Sequence, residues 1–220
     1  SLTDGNYDAV ISANDINGNT GTNSSSFRVD KIPPIINLMT LSWGTFLNIE
    51  KASTVGYVST LVSGVEDSQP ITATLDGDEY TSYIYDGSAN IEIPSSKLQS
   101  LTNSSYTLYT TVFDLAEYSA TKSKTFTVDF LRPIVHDISF SWGSFLGITK
   151  SNSSGLINVT TSGVENNQTI TANLNNNNYD SSVIDNSSSI IIPQIALQNL
   201  VDGSYNVLIT VADFAGNDIS

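Results

Sequence analysis

The chain has 220 residues, and its 8 Lys and Arg against 22 Asp and Glu give a formal net charge of −14 at pH 7. A charge of this sign and size argues against a phosphate-backbone partner, and therefore against nucleic-acid binding. There is no cysteine, so neither disulfides nor thiolate chemistry contribute. No apolar run approaches the roughly 18 residues needed to span a bilayer, so we expect no membrane insertion.

The chain repeats itself with one fixed period. Identical residues recur 99 positions apart without insertion or deletion, as in Trp43 and Trp142, Gly64 and Gly163, Pro94 and Pro193, and Tyr7 and Tyr106. This period is too long for a solenoid unit and is about the size of one small sandwich domain. We predict the C-terminal strands of a preceding repeat at 1–33, a complete repeat at 34–132, and a repeat lacking its last strand at 133–220. We interpret the whole as a window on a longer array.

Within the complete copy, short runs rich in β-branched and aromatic residues alternate with turn residues. They predict strands, in chain order, at 54–63, 69–75, 79–85, 89–93, 106–113 and 125–129. Residues 95–101, directly after Pro94, predict a single helical turn. About seven short strands with no long helical period indicate an all-β fold, an antiparallel β-sandwich of the immunoglobulin-like type.

A local pattern supports this fold. Leu200 to Tyr205 reads Leu-Val-Asp-Gly-Ser-Tyr, and Leu2 to Tyr7 reads Leu-Thr-Asp-Gly-Asn-Tyr. Both have the form of a tyrosine corner, in which a Tyr at the start of a strand bonds to backbone a few residues upstream. The alternative, a core Tyr after an ordinary turn, leads to the same fold. We predict that Tyr106 and Tyr205 are buried and make this hydrogen bond.

Several motifs recur in a fixed order. They are Val62–Glu66 (Val-Ser-Gly-Val-Glu), its counterpart Thr161–Glu165, Asp213–Asn217 (Asp-Phe-Ala-Gly-Asn), and Phe126–Asp129 leading to Pro133. With this order and spacing the chain resembles the bacterial immunoglobulin-like tandem repeats of very large extracellular adhesins and biofilm-associated surface proteins. The resemblance covers the whole chain. It implies a cell-surface location and a structural rather than catalytic role.

The resemblance also implies that calcium can bind at domain junctions. Asp114 is then expected near Asp30, and Asp213 and Asn217 near Asp129, since hard oxygen ligands suit Ca²⁺. Alternatively, these Asp residues are turn formers whose carboxylates bond local backbone amides. The chain departs from the family at Thr45 and Ser144, which stand where the family pattern has an acidic residue.

Two aromatic residues and one histidine require separate interpretation. Trp43 and Trp142 suit either a carbohydrate-stacking platform or the filling of a domain core or junction, and we favour the second. His136 is the single histidine, and the chain offers no nucleophile with a base and no paired acid and base. We therefore expect no enzyme.

The favoured function is a structural spacer or stalk in an extracellular adhesin, whose partners are the neighbouring repeats. The short linkers at 31–34 and 130–133 contain proline, which fixes φ and restricts the preceding residue, so a semi-rigid array is expected. One alternative is a filament subunit, in which another copy supplies the missing strand by β-augmentation. The other alternative is a glycan-binding module that uses Tyr80, Tyr83 and Tyr85.

Overall fold

The computed structural model describes residues 1–219, which pack as two compact units. The first unit comprises Ser1–Thr40, Tyr57–Glu92 and Thr107–Lys124. The second comprises Leu41–Gly56, Ile93–Tyr106 and the residues from Thr125 onward. Strands dominate both, and the prediction of an all-β, immunoglobulin-like fold is confirmed. Within residues 1–219, no helix is long and apolar enough to cross a membrane.

The elements follow one another in a regular order. The strands are β1 (Gly5–Asn14), β2 (Thr20–Val29), β3 (Ile35–Leu41), β4 (Phe46–Leu47), β5 (Gly56–Ser63), β6 (Pro70–Leu75), β7 (Asp78–Tyr83), β8 (Ser88–Ile93), β9 (Ser104–Phe113), β10 (Ser119–Val128), β11 (Ile134–Phe140), β12 (Gly155–Ser162), β13 (Thr169–Leu174), β14 (Asn177–Ser182), β15 (Ser187–Ile192), β16 (Val207–Ala212) and β17 (Asp218–Ile219). The short helices are α1 (Ile49–Ala52), α2 (Ser95–Ser100), α3 (Ile148–Ser151) and α4 (Gln194–Gln198). From β3 to β8 and from β11 to β15, the matching strands keep the offset of the sequence repeat.

In the first unit, β1 and β2 form an antiparallel hairpin in register from Gly5 opposite Val29 to Asn14 opposite Thr20. Farther along, β6 lies between β7 and β9 and is antiparallel to both. The side chains of β6 alternate between the two faces, so that Ile71, Ala73 and Leu75 are buried while the threonines between them face outward. This period-2 pattern is the one that predicted the strand.

In the second unit, a three-stranded sheet (β11-β12-β15) and a four-stranded sheet (β14-β13-β16-β17) enclose an apolar core. The core is formed by alternate residues from both sheets: Ile157, Val159, Ile170, Ala172, Ile190, Ile192, Ile209 and Val211. The same unit contains the parallel pair of β4 with β10, in which Thr127 lies opposite Phe46. Two sheets that bury alternate residues against each other are the architecture of an immunoglobulin-like sandwich.

The tyrosine corner is present in all three copies. The Tyr205 hydroxyl donates to the Val201 carbonyl at 2.9 Å, and Tyr7 donates to Thr3 O at 2.8 Å. In the middle copy the Tyr106 hydroxyl instead accepts from the Thr102 N–H at 3.1 Å. The predicted backbone bond is confirmed, whereas Tyr106 and Tyr205 are half-buried rather than fully buried.

The two tryptophans differ in their surroundings. Trp43 is only 3% exposed and meets Phe126 edge-on, with ring centroids 5.3 Å apart. Gly56 lies directly against it, because a Cβ at that position would fall 2.5 Å from the Trp43 ring. Trp43 therefore fills the core, and the carbohydrate-platform interpretation is wrong for it. Trp142 is half-buried and stacks on Phe140.

Three local predictions needed correction. The short helices α1 and α3 were not predicted, because each is only four residues long and carries no apolar period. The last strand of the middle copy was expected at 125–129, yet β10 begins at Ser119. The first half of β10 is polar, so the sequence did not indicate a strand there. In this half, Lys122 Nζ donates to the carbonyls of Ile36 and Asn37 in β3.

Candidate functional site at the repeat junctions

The turn between the last two strands of each copy is locked by an aspartate. In the third copy, Asp213 Oδ1 accepts from the Asn217 N–H at 2.8 Å, and Asp213 Oδ2 accepts from Asn217 Nδ2 at 2.9 Å. In the first copy, Asp15 and Asn19 make the same pair of bonds at 2.8 and 2.7 Å. The side-chain bond from Asn19 is the main reason that the pKa of Asp15 is lowered. We call Asp213–Asn217 the third-copy turn.

The third-copy turn contacts the middle copy directly. Asn217 Nδ2 donates to the main-chain carbonyl of Asp129 at 2.9 Å, and Asn48 Nδ2 donates to the carbonyl of Ala215 at 3.0 Å. The Ile49 N–H points to Asn217 Oδ1 at 3.4 Å. Asn48 and Asn217 are 4% and 5% exposed, so water competes little for these bonds. We call this set of contacts the second junction.

Asn48 performs two tasks with one side chain. Its Oδ1 accepts from the Lys51 N–H at 2.9 Å and so caps α1, while its Nδ2 reaches Ala215. An N-cap that satisfies an otherwise unpaired amide typically contributes about 1 kcal/mol. Because the cap fixes the side chain, the amide donor is already oriented toward the third-copy turn. The equivalent position in the third copy is Gly147, which has no such donor.

Gly216 allows the close approach at the second junction. Its φ is +85°, and a Cβ there would lie 3.2 Å from Asn48 Nδ2. At this position in the middle copy stands Glu117, with φ +67°, and at the position of Asn217 stands Tyr118. The middle-copy turn therefore lacks both residues that make the second junction close-fitting.

The middle copy meets the first copy by a different chemistry, through Glu66. Glu66 Oε2 accepts from the Leu115 N–H at 3.2 Å, and Glu66 Oε1 accepts from Arg28 Nη1 at 2.8 Å. Arg28 also pairs with Asp30 at 2.9 Å. We call these contacts the first junction. The third copy repeats the contact of Glu66 through Glu165, but the residue matching Arg28 is Thr127, so the ionic link is specific to the first junction.

One carboxylate oxygen of the middle-copy turn has no hydrogen-bond partner. Asp114 is 3% exposed, and its Oδ1 accepts from the Tyr118 N–H at 2.9 Å. Its Oδ2 is buried without a hydrogen bond. In the other two copies the matching oxygen accepts from an asparagine amide that Tyr118 replaces. A buried acceptor without a partner lowers the stability of the fold by about 1–3 kcal/mol. A hydrogen-bond donor or a cation beside Asp114 Oδ2 would remove this destabilisation.

The structure gives each predicted metal ligand a protein partner. Asp30 Oδ1 accepts from Ile32 N–H at 3.2 Å, and Asp129 Oδ1 accepts from Leu131 N–H at 3.0 Å. With Asp114 and Asp213, all four aspartates thus act as turn formers. Within residues 1–219, no group of three or more His, Asp or Glu side chains is gathered as a metal site requires.

Sequence reasoning missed Asn48, Arg28 and the bridging role of Glu66. The only sequence feature that pointed to Asn48 was that it can cap a helix, and a possible cap before a short helical turn is a weak indication of a functional residue. Glu66 was recognised as part of a motif, but its partner Arg28 lies 38 residues away, a distance that no local pattern encodes.

A separate groove with several large apolar side chains lies in the third copy. It is lined by Phe140, Trp142, Leu146, Leu197 and Tyr205, among others. In the middle copy the corresponding place is filled by Phe126, which packs on Trp43 and lies 6.0 Å from the Tyr106 ring. The groove therefore lies where the middle copy packs the phenylalanine of its last strand.

Comparisons with solved structures identify the fold. The chain is similar to a structure from a 1.5-MDa bacterial ice-binding adhesin retained at the host cell surface, with 20% identity over 99% of this chain and 72% of that chain, and a TM-score of 0.51. It is also similar to a Ca²⁺-stabilised adhesin with which an Antarctic bacterium binds ice (20% identity, 97% and 54% coverage, TM-score 0.48). A third is a tetra-tandem repeat from the extending region of a large adhesion protein (21%, 99% and 55%, TM-score 0.38).

These likenesses have a limited extent. The chain spans about half the length of the Antarctic adhesin structure, at 54%. No model of a known protein family and no curated protein matches the chain. The resemblance to bacterial immunoglobulin-like repeats of large adhesins, which the motifs indicated, is confirmed at the level of the fold.

Proposed function

We propose that the chain is a non-enzymatic spacer segment of a repetitive extracellular adhesin, which holds a distal binding domain away from the cell. The observation that carries this is the second junction, where one buried and one partly buried hydrogen bond, made by Asn48 and Asn217, join two copies. A stalk needs such junctions because freely jointed domains would not hold a fixed distance. The proposed repeats are 1–33, 34–132 and 133–220, and the partners are the neighbouring repeats.

The linkers support this function. Pro34 and Pro133 each pack against the glycine of their own copy's Val-Ser-Gly or Thr-Ser-Gly motif, such that a Cβ on Gly64 or Gly163 would lie 3.5 Å from the proline Cα. The Phe130 N–H is held by Asn103 Oδ1 at 2.9 Å. Each linker is therefore anchored to folded structure on top of the restriction that proline imposes on φ.

The spacer function is tested by breaking the second junction. In the double variant Asn48→Ala and Asn217→Ala, we expect a broader distance distribution between spin labels placed in the second and third copies. Asn19→Ala is the matched control, since it removes the same lock within the first-copy turn and no contact of the second junction. An unchanged distribution in the double variant would contradict a junction held by these side chains.

We further propose that a calcium ion binds at the first junction, with Asp114 and Asp30 among its ligands. The buried Asp114 Oδ2, which has no hydrogen-bond partner, supports this, because a divalent cation would coordinate that oxygen. At the second junction both carboxylate oxygens of Asp213 already accept hydrogen bonds from Asn217, unlike those of Asp114, so weaker calcium binding is expected there. Terbium luminescence of Asp114→Asn and Asp213→Asn separates the two sites, and equal titrations for both variants and the parent would reject this assignment.

The groove in the third copy supports a filament as the second candidate. A strand donated by another copy, such as residues 20–29 with Phe27, would seat its ring between Trp142 and Tyr205. This alternative predicts concentration-dependent polymers in light scattering, which Phe27→Ala would abolish. The spacer function predicts one copy per particle at all concentrations.

A further inference from the structure

One outward sheet face of the middle copy differs in chemistry from the rest of this acidic chain. The strands β7, β6, β9 and β10 lie side by side in that order. Thr72 lies opposite Thr81 on one side and opposite Thr111 on the other. The Thr72 and Thr81 hydroxyls are 3.2 Å apart, and those of Thr111 and Thr121 are 2.9 Å apart. Four threonines therefore form one row across four strands.

Aromatic rings flank this row on both sides. Tyr109 pairs with Thr74 on one side and is 50% exposed. On the other side, Tyr83 pairs with Pro70 and is 65% exposed, and Phe113, one position beyond the paired Val112 on β9, is 49% exposed. Tyr85, two residues after Tyr83, is 77% exposed. We call the threonine row together with Tyr109, Tyr83 and Phe113 the threonine–aromatic face, next to which Tyr85 follows in the chain.

The three tyrosines of the glycan-binding alternative differ in exposure. Tyr83 and Tyr85 are exposed, whereas Tyr80 is half-buried and lies at the opposite parity of β7. Phe113 and Tyr109 join the exposed pair from β9, which the sequence did not indicate, because their strand neighbours were not known.

The fold does not require these rings. At the positions of Tyr83, Tyr85 and Phe113 the third copy has Ser182, Ile184 and Ala212, and Asp180 stands in place of Thr81. The strands β13 and β14 keep the bounds of β6 and β7, and the register with the neighbouring strand is also kept, since Ile170 lies opposite Val211 as Ile71 lies opposite Val112. The third copy folds without these exposed rings. We therefore attribute the rings of the middle copy to binding rather than to stability of the fold.

The charge of the face limits its partner. Of the residues in these three rows, Glu79 alone is charged, although the chain as a whole carries −14. An anionic partner would be repelled by the chain, and a cationic partner would find little to pair with on this face. A neutral partner with both apolar patches and hydroxyl groups matches rings placed beside a row of hydroxyls.

We infer that the threonine–aromatic face binds a neutral polysaccharide. The C–H faces of the sugar rings stack on Tyr83 and Phe113, and the sugar hydroxyls exchange hydrogen bonds with the threonine row. Aromatic side chains supply this contact area at low conformational-entropy cost because they have only two χ angles. Such a face would make the stalk itself adhesive along its length, which goes beyond the spacer function.

The repeat provides matched variants for the test. The loss variant carries the third-copy residues in the middle copy (Tyr83→Ser, Tyr85→Ile, Phe113→Ala). The gain variant carries the middle-copy residues in the third copy (Ser182→Tyr, Ile184→Tyr, Ala212→Phe). Both exchanges use residues that the matching strands already accommodate. Circular dichroism and the melting temperature verify that each variant folds.

Migration of the whole chain is measured in native gels that contain soluble mixed-linkage glucan, galactomannan or, as the anionic comparison, polygalacturonate. We expect retardation by at least one neutral polysaccharide and none by polygalacturonate. The loss variant should bind more weakly by roughly three- to tenfold for each stacked ring removed, and the gain variant should bind more tightly than the parent.

Three results with the parent and the loss variant would overturn the inference. They are no retardation of the parent by either neutral polysaccharide, equal retardation of the parent and a folded loss variant, and stronger retardation by polygalacturonate. If the gain variant folds and binds no better than the parent, the rings alone do not make the site, and the inference fails for the stacking role. None of these results bears on the stiffness of the second junction, which is measured separately.

Discussion

The side-chain amide of Asn217 donates to the main-chain carbonyl of Asp129 at 2.9 Å, across 88 residues of sequence. The same nitrogen also donates to Asp213, in the turn that contains Asn217. One amide therefore links the shape of a turn to the position of the preceding repeat. If the turn opens, the junction loses its donor at the same time.

Replacing this residue tests the link. Asn217→Ala removes the side-chain amide and with it the hydrogen bonds to Asp129 and Asp213. The buried Asp213 Oδ2 then has no partner, so we expect the free energy of unfolding to fall by about 1–3 kcal/mol. Urea denaturation measures the loss. Asn19→Ala, whose turn is exposed, should cost less, and an equal loss in both variants would mean that the junction adds nothing.

Tyr118→Asn should stabilise the middle copy. The new amide can donate to Asp114 Oδ2, as the matching asparagines do in the other copies, and a satisfied buried acceptor is worth about 1 kcal/mol. The gain should appear as a higher melting temperature in calcium-free buffer. Tyr118→Ala is the control, because it removes the ring without adding a donor. If both variants shift the melting temperature alike, the unpaired oxygen is not the cause.

Gly216→Ala should weaken the second junction. A side chain at φ +85° is strained, and its Cβ would press on Asn48 Nδ2. A left-handed conformation costs an L-residue about 1–2 kcal/mol, so a loss of that order in denaturant is expected. Gly203→Ala serves as the comparison, since a Cβ at Gly203 would lie 3.9 Å from its nearest neighbour, the Val201 carbonyl oxygen, which is an ordinary van der Waals distance. Comparable losses in the two variants would argue against close contact at Gly216.

The turn lock of the first copy can be followed by titration. The pKa of Asp15 lies below its ordinary value of 3.8, chiefly because its carboxylate accepts a hydrogen bond from the Asn19 side chain. A depressed folded-state pKa means that the stabilisation is present above the unfolded pKa and is lost as the pH falls through the folded value. Asn19→Ala should therefore raise the Asp15 pKa toward 3.8, as measured by carboxyl NMR. A pKa unmoved by the substitution would assign the shift to the backbone amides alone.

Much of the fold was predictable from the sequence, and the candidate site was only partly so. The strands β5, β6 and β8 were placed within two residues because apolar and polar side chains alternate along them, and this alternation is a local consequence of the pleat. The strand β10 was placed too short because its first half is polar, and the sequence does not show that Lys122 donates to backbone carbonyls of β3. The aspartates of the turns were identified, but their partners were not.

The amino-acid sequence by itself determined the repeat, the sandwich class, the corner tyrosines and the turns, because each depends on residues within one strand or a few positions apart. Only the tertiary structure decided that Asn48 meets Ala215, 167 residues away, and that Arg28 meets Glu66. It also decided that Asp114 keeps an unpaired oxygen where its counterparts do not. Such contacts depend on which loops lie next to each other in the folded protein. The periodicity of the sequence does not predict that arrangement.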